Sequence, residues 1–232
     1  SALEGGAGSK SGGGGGAGCG GAIFIEGNTG GAIGGTLIMQ GSLSFSNCNT
    51  IQGPGVNNAG AAKGKEIYMG SGSLITAQLS GNTTVPNPIE SNRMLAPWTS
   101  NAGGLTVENA PGIILRLNGD QTYTGKTTIN QGTLHVEGSV ITDVEVNGGI
   151  FGGNVTVKND PSVSSNGDVT VNGGQLSPGG DGLFGLMKIE GDLSINNSSA
   201  IFHDIEVDSA SNTDFIAVDG TAQLDGILQV DA

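Results

Sequence analysis

The residues best placed for chemistry lie near the C-terminal end, in "IFHDIEVD" (Ile201 to Asp208). Alternation along a strand puts Asp204, Glu206 and Asp208 on one face and Ile201, Ile205 and Val207 on the other. Same-face carboxylates then stand ~7 Å apart. That spacing suits a pair of acids in glycoside hydrolysis or, with further ligands, calcium. An acidic rod also presents such a face to plain water, and this reading carries more weight. His203 falls on the apolar side, and neither histidine of the chain has a recognisable partner arrangement. The serines of "GSGS" (Gly70 to Ser73) depart from the G-x-S-x-G elbow. In "GGDGLF" (Gly179 to Phe184), Phe184 stands where a calcium nonapeptide needs its Asp. The Gly-rich opening lacks the Lys-Ser or Lys-Thr of a phosphate loop. No catalytic group, metal site or cofactor is expected, with Asp204, Glu206 and Asp208 as the fallback.

Composition explains why chemistry is hard to find. The 232 residues include 45 glycines and only 4% aromatics, yet 35% are apolar. Without a G-X-Y period, such glycine content fits either disorder or a turn-dense repeat, and the apolar share favours the repeat. The net charge of −13 on 8 Lys and Arg repels phosphate backbones and anionic lipid, so neither nucleic-acid binding nor direct membrane insertion is expected. Cys19 and Cys48 would close a loop worth ~3 kcal/mol if paired. Their spacing leaves pairing open.

The element that must position any site is a five-residue signature: apolar, any, apolar, an acid or amide, Gly. It reads "IFIEG" (Ile23 to Gly27), "LIMQG" (Leu37 to Gly41), "LRLNG" (Leu115 to Gly119) and "LHVEG" (Leu134 to Gly138). It continues as "VEVNG" (Val144 to Gly148), "VTVNG" (Val169 to Gly173), "MKIEG" (Met187 to Gly191) and "IAVDG" (Ile216 to Gly220). The two apolar positions share one strand face, and the pair that follows is turn chemistry in which Gly supplies positive φ. Three-residue strands cannot bury a face alone, whereas stacking them buries a continuous column. The fold class expected is all-β, a parallel β-helix solenoid. Residues 1–19 read as a Gly-rich flexible leader or the remnant of a cut. Residues 20–232 read as a single β-helix. Within them, 82–103 holds three prolines and the lone Trp98, so it is expected to be a loop or an atypical coil. The whole chain reads as a fragment of something longer.

The stretch "LRLNGDQTYTGKTTINQGTLHVEGSV" (Leu115 to Val140) resembles the passenger-associated transport repeat of autotransporter proteins. The resemblance is carried by Leu117, Gly119, Tyr123, Thr124, Gly125, Thr127, Ile129, Gly132 and Leu134. "GGQLSPGGDGLFGLMKIEGDLSI" and "TDFIAVDGTAQLDGILQV" resemble the last passenger coils of the same class. The front half is similar to the chlamydial polymorphic membrane proteins, with "GGAI" at Gly20 to Ile23 and Gly30 to Ile33. There "FSNC" (Phe45 to Cys48) has Cys where the F-x-x-N motif has Asn. The resemblance implies a right-handed β-helix carried out by its own outer-membrane barrel domain. It would be displayed at the bacterial surface or outer membrane, or secreted after cleavage.

The same resemblance implies an adhesin or host-cell-interacting virulence factor without catalysis, and a host cell-surface protein receptor as partner. The expected binding residues are Gly20, Gly21, Ala22, Ile23, Gly30, Gly31, Ala32 and Ile33 of the GGAI motifs, with Arg93 and Trp98 of the proline segment. Trp and Arg are favoured interface anchors. Plain geometry is the competing account for GGAI, and a cap over an exposed coil is the competing account for Trp98. Two alternatives stand beside the adhesin: a carbohydrate-active β-helix using the acidic face, and a purely structural stalk and secretion-folding module.

Overall fold

The computed structural model describes residues 18–19, 21–27, 34–51, 62–70, 72–91, 103–161, 165–180, 183–196, 199–204 and 213–231. They form a parallel β-helix with no α-helix among them. One face is an eight-stranded sheet: Thr36–Gly41, Leu74–Leu79, Gly104–Glu108, Thr127–Gln131, Val144–Val146, Val169–Val171, Leu193–Ile195 and Ala222–Leu224. A second face begins with Thr83–Val85, Ile114–Asp120 and Thr133–Val140, then forks. One prong continues through Ile150–Gly153, Gln175–Pro178, Ala200–Asp204 and Ile227–Asp231, the other through Val155–Val157, Leu186–Ile189 and Phe215–Val218. Ile23–Ile25, Ile67–Met69 and Glu90–Ser91 make a smaller sheet on the first coils. Pairing within these sheets is parallel, each strand lying on the equivalent strand one coil away.

The signature works as a core-facing device. Leu115, Leu117, Leu134, Val136, Val144, Val146, Val169, Val171, Met187 and Ile189 are all buried in one contiguous core. Each of these is matched in register by the neighbouring coil, as Leu115 is by Leu134 and Leu117 by Val136. The column is therefore a stack of like residues, which buries short strands that could not fold singly.

The role of the signature glycine is only partly conformational. Gly119 takes φ 80°, as turn chemistry requires. Gly191 does not have positive φ; a Cβ there would strike Asp168 and the backbone of Asn166 and Gly167 in the coil below. Close approach of successive corners selects glycine at that position.

The segment resembling the transport repeat carries a polar cluster inside the core. Tyr123 is fully buried, and its hydroxyl lies 2.9 Å from Thr127 Oγ1, which lies 2.9 Å from Thr142 Oγ1. Buried hydroxyls are thus paired inside the core rather than left bare. Burial pushes the Tyr123 hydroxyl up to about 12, partly opposed by its bond to Thr127. Gly125 N–H donates to the Gly103 carbonyl at 2.6 Å, tying this coil to the one before it.

Outside the core, a column of side-chain amides runs up the corner that follows the first face. Gln40 Nε2 donates to Gln78 Oε1 (3.1 Å), and Gln78 Nε2 to Glu108 Oε2 (3.1 Å). From the other direction Asn130 donates to Glu108 Oε1 (3.3 Å), Asn147 to Asn130 (3.1 Å), Asn172 to Asn147 (2.9 Å) and Asn196 to Asn172 (2.7 Å). Every amide in this column turns its NH₂ toward Glu108, because an ionised carboxylate can only accept. The sequence steps along it are 38, 30, 22, 17, 25 and 24 residues, so coil length varies more than twofold while the corner stays aligned.

Within the 82–103 segment, Thr83–Val85 pairs with Leu115–Leu117 and Glu90–Ser91 with Tyr68–Met69. Residues 82–91 therefore belong to the coil stack, and Pro86 and Pro88 sit between those two strands. Residues 92–102 lie outside the described residues. Cys48 is a free thiol whose S–H donates to the Ser46 carbonyl at 3.7 Å. Asn47, inside "FSNC", takes the left-handed φ of 54°, so that motif makes a corner.

Candidate functional site

The structure reaches the expected binding residues unevenly. Of the first GGAI motif, Gly21 is buried at a corner, where a Cβ would strike the carbonyls of Lys65 and Asn49. Ala22 is exposed, and Ile23 packs partly against the core opposite Ile67. The N–H groups of Ala22 and Ile23 both donate to the Glu66 carbonyl, at 3.2 and 2.8 Å. Corner crowding explains Gly21 and core packing Ile23, while Ala22 between them is exposed. Gly20, Gly30, Gly31, Ala32, Ile33, Arg93 and Trp98 lie outside the described residues. So do Glu206 and Asp208, while the backbone of Asp204 pairs with Asp231 at the end of its strand.

A site that sequence reasoning missed lies on the second face. Two outward rows run side by side up the coils. One passes through Ile114, Thr133 and Ile150, the other through Arg116, His135, Gly152 and Ser177. Residues facing outward on a strand are ordinarily wet, yet His135 is 3% and Ser177 5% exposed. The cause is the segment after Pro178. Gly179 N–H bonds the Gly153 carbonyl and Leu183 N–H bonds the Gly180 carbonyl, which folds Gly179, Gly180 and Leu183 over the sheet as a wall. The result is a groove of about 120 Å³, with Leu183 on its wall side.

The groove has an organised polar floor. His135 Nε2 meets Glu137 Oε1 at 2.5 Å, and Arg116 Nη1 reaches the same oxygen at 3.6 Å. The sequence reading did not single out this pair: Leu134 and Val136 face inward, so His135 and Glu137 share the outer face two residues apart. That signal was present in "LHVEG". The wall was not legible, because it depends on Gly179, Gly180 and Leu183 lying over the sheet rather than outward.

Two glycines keep the groove open. A Cβ on Gly152 would press on the Ser177 carbonyl, and one on Gly180 (φ 90°) would lie 3.1 Å from His135 Nδ1. Elsewhere acids serve the backbone: Asp143 Oδ1 accepts from Ser165 Oγ and the N–H groups of Asn166, Gly167 and Asp168, and Asp168 Oδ1 accepts from Asp192 N–H. Their charge is spent on capping successive coils. Among the described residues no group of three or more His, Cys, Asp or Glu is placed to hold a metal.

The family model described as the passenger-associated transport repeat matches residues 114–136. These are the strand and turn segments that carry Leu117, Tyr123, Ile129 and Leu134 into the core. This is autotransporter passenger sequence. The chain is also similar to the adhesin BmaC autotransporter of Brucella suis biovar 1, 30% identical over 161 residues. The match takes in 68% of this chain and 5% of that protein, so the chain spans a small part of the relative's length. No solved structure matches it. Autotransporter passengers are displayed on the bacterial surface or secreted, and the groove and amide column are features of a passenger coil stack.

Proposed function

We propose that this passenger chain works as part of a surface adhesin, contacting host-cell surface components through its outer faces rather than catalysing a reaction. The observation that carries the reading is the extent of the similarity to an adhesin. It takes in 68% of the chain, whereas the transport repeat matches residues 114–136. The similarity therefore reaches well beyond the transport repeat. A protein receptor on the host cell and an outer-membrane barrel of the same polypeptide are the partners that fit. The GGAI motifs and the 92–98 stretch, with Arg93 and Trp98, are the proposed contacts.

The test is binding of labelled chain to cultured host cells. Ala22→Glu adds charge at an exposed corner without touching the core, and a second variant replaces residues 92–98 with a Gly-Ser run. Saturable binding that is lost in one variant with unchanged circular dichroism establishes the adhesin and locates its contact. Binding no greater than that of an unrelated acidic protein overturns it. The stalk reading then takes its place, supported by the amide column and stacked core of the coils from Gln40 to Asn196.

A further inference from the structure

We propose that the groove over Gly152 binds one neutral, hydroxyl-rich sugar unit, so that this rod contacts glycan as well as, or in place of, protein. The proposal deepens the adhesin reading and rests on it for the setting in which a glycan would be met.

Size comes first. A space of about 120 Å³ holds roughly four waters at ~30 Å³ each. That accommodates the polar edge of a single ring and excludes a long stretch of polymer. Concave sites with a few convergent polar groups on an otherwise apolar lining are the usual form of a small-ligand site.

The polar groups then narrow the class. The Thr133 and Ser177 hydroxyls each donate and accept, and the imidazole edge under Gly180 offers one ring nitrogen. Arg116 carries five N–H donors against a single loose contact to Glu137 at 3.6 Å. Donors and acceptors mixed at short spacing match neighbouring hydroxyls, which both give and take hydrogen bonds. Ile114, Ile150 and Leu183 supply an aliphatic side for the C–H face of a ring.

Charge decides between a neutral and an acidic ligand. Glu137 already faces both Arg116 and His135, so the cation in the groove is balanced before any ligand arrives. The rest of the chain carries a net charge of −13, which disfavours an approaching carboxylate or sulfate. A free guanidinium with no acid beside it would have argued the reverse.

The groove is also kept open by its backbone. Gly179 and Gly180 take φ of 70° and 90° in succession, a conformation that suits glycine and few other residues. With any side chain at 180 the imidazole edge would be covered.

The experiment uses the two histidines of the chain as reporters. Ring resonances are followed by NMR while D-glucose, D-galactose, D-mannose, N-acetylglucosamine and glucuronate are each titrated in, with His135→Gln assigning the signals. The expected result is a saturable shift of the His135 ring by at least one neutral sugar, with His203 unmoved. Arg116→Ala is expected to weaken that sugar about tenfold, the loss of one charge-assisted hydrogen bond, in a chain of unchanged circular dichroism. Leu183→Ala tests the wall in the same way. The proposal is overturned if no neutral sugar shifts His135 saturably. It is overturned equally if glucuronate binds more tightly than every neutral sugar, or if neither variant changes the affinity. Because the reporter is the imidazole itself, failure of whole-cell adhesion and failure of sugar binding are separate results.

Discussion

The first coil and the transport-repeat coil use the same device and complete it differently. In "IFIEG" and "LIMQG", Ile23 and Leu37 are only partly buried beside Ile25 and Met39. In "LRLNG" and "LHVEG", Leu115, Leu117, Leu134 and Val136 are all fully buried. Along the amide column the step is 38 residues near the first coil and 17 near the transport repeat. Among the described residues Ile23–Ile25 and Thr36–Gly41 each pair with one neighbouring strand, whereas Ile114–Asp120 and Thr127–Gln131 each lie between two. The difference shows that the sequence signature sets which way a side chain points, while coil length and position in the stack set how much that direction is worth.

Core truncation gives the largest test of this contrast. Leu134→Ala, at a fully buried site of the transport-repeat coil, is expected to cost about 2–5 kcal/mol in urea unfolding. Leu37→Ala, in the first coil, is expected to cost less than half as much, because a half-wet site leaves a smaller cavity and loses less transfer energy. Equal losses at the two positions would break the comparison.

Alkali provides the next effect. Tyr123 ionises at about 12 in the folded chain, raised by burial, against about 10 when unfolded. The unfolded state therefore releases its proton first. The stability that this tyrosine contributes is whole below pH 10 and is lost as pH rises through about 12. Two units correspond to about 2.7 kcal/mol. Unfolding midpoints measured from pH 9 to 12 should fall accordingly, and Tyr123→Phe should flatten the part due to this group. A fall that survives in the phenylalanine variant would assign it elsewhere.

Much of this architecture was readable beforehand, and the reasons are local. Strand direction and core identity at Leu115, Leu134, Val144 and Val169 follow from period two and from turn residues that lie within five positions of them. The groove is not local. It needs Arg116, His135, Gly152 and Ser177 to fall into one row, and that alignment depends on the lengths of coils whose corners carry no common spacing. The wall adds a second requirement, a turn after Pro178 that folds inward. The glycines at Gly148, Gly191 and Gly220 were readable as corners but not in their cause, since crowding against the neighbouring coil belongs to the stack rather than to the turn.

Smaller effects sharpen the same contrast on the surface. Asn147→Ala removes two rungs of the amide column, one to Asn130 and one to Asn172, and is expected to cost about 1 kcal/mol, the usual net worth of exposed hydrogen bonds. Gln40→Ala, at the long-coil end, should cost less, and chemical denaturation of both variants compares them directly. The Lys126–Glu145 pair holds the Glu145 carboxyl below its ordinary range, chiefly by its hydrogen bond to Lys126. Both side chains are substantially wet, so Lys126→Ala is expected to change stability by about 0.5 kcal/mol or less. A larger loss in moderate salt would mean that the pair is shielded by its neighbours.

The amide column is a one-dimensional row of dipoles with two arms of opposite sense, and Glu108 is the wall between them. An amide can be turned either way at little cost, so the sense of each rung follows from its neighbours and from the carboxylates beside it: Glu108 at the centre and Glu145 beside Asn172. Glu108→Gln would make the row uniform in chemistry while releasing its wall. The two arms could then exchange sense, or a single sense could run from Gln40 to Asn196. Glu145 holds Asn172 independently, accepting from its Nδ2 at 3.4 Å, so the change should be read nearer the wall: side-chain amide NMR of Gln78 and Asn130, which bond Glu108 directly, would report it.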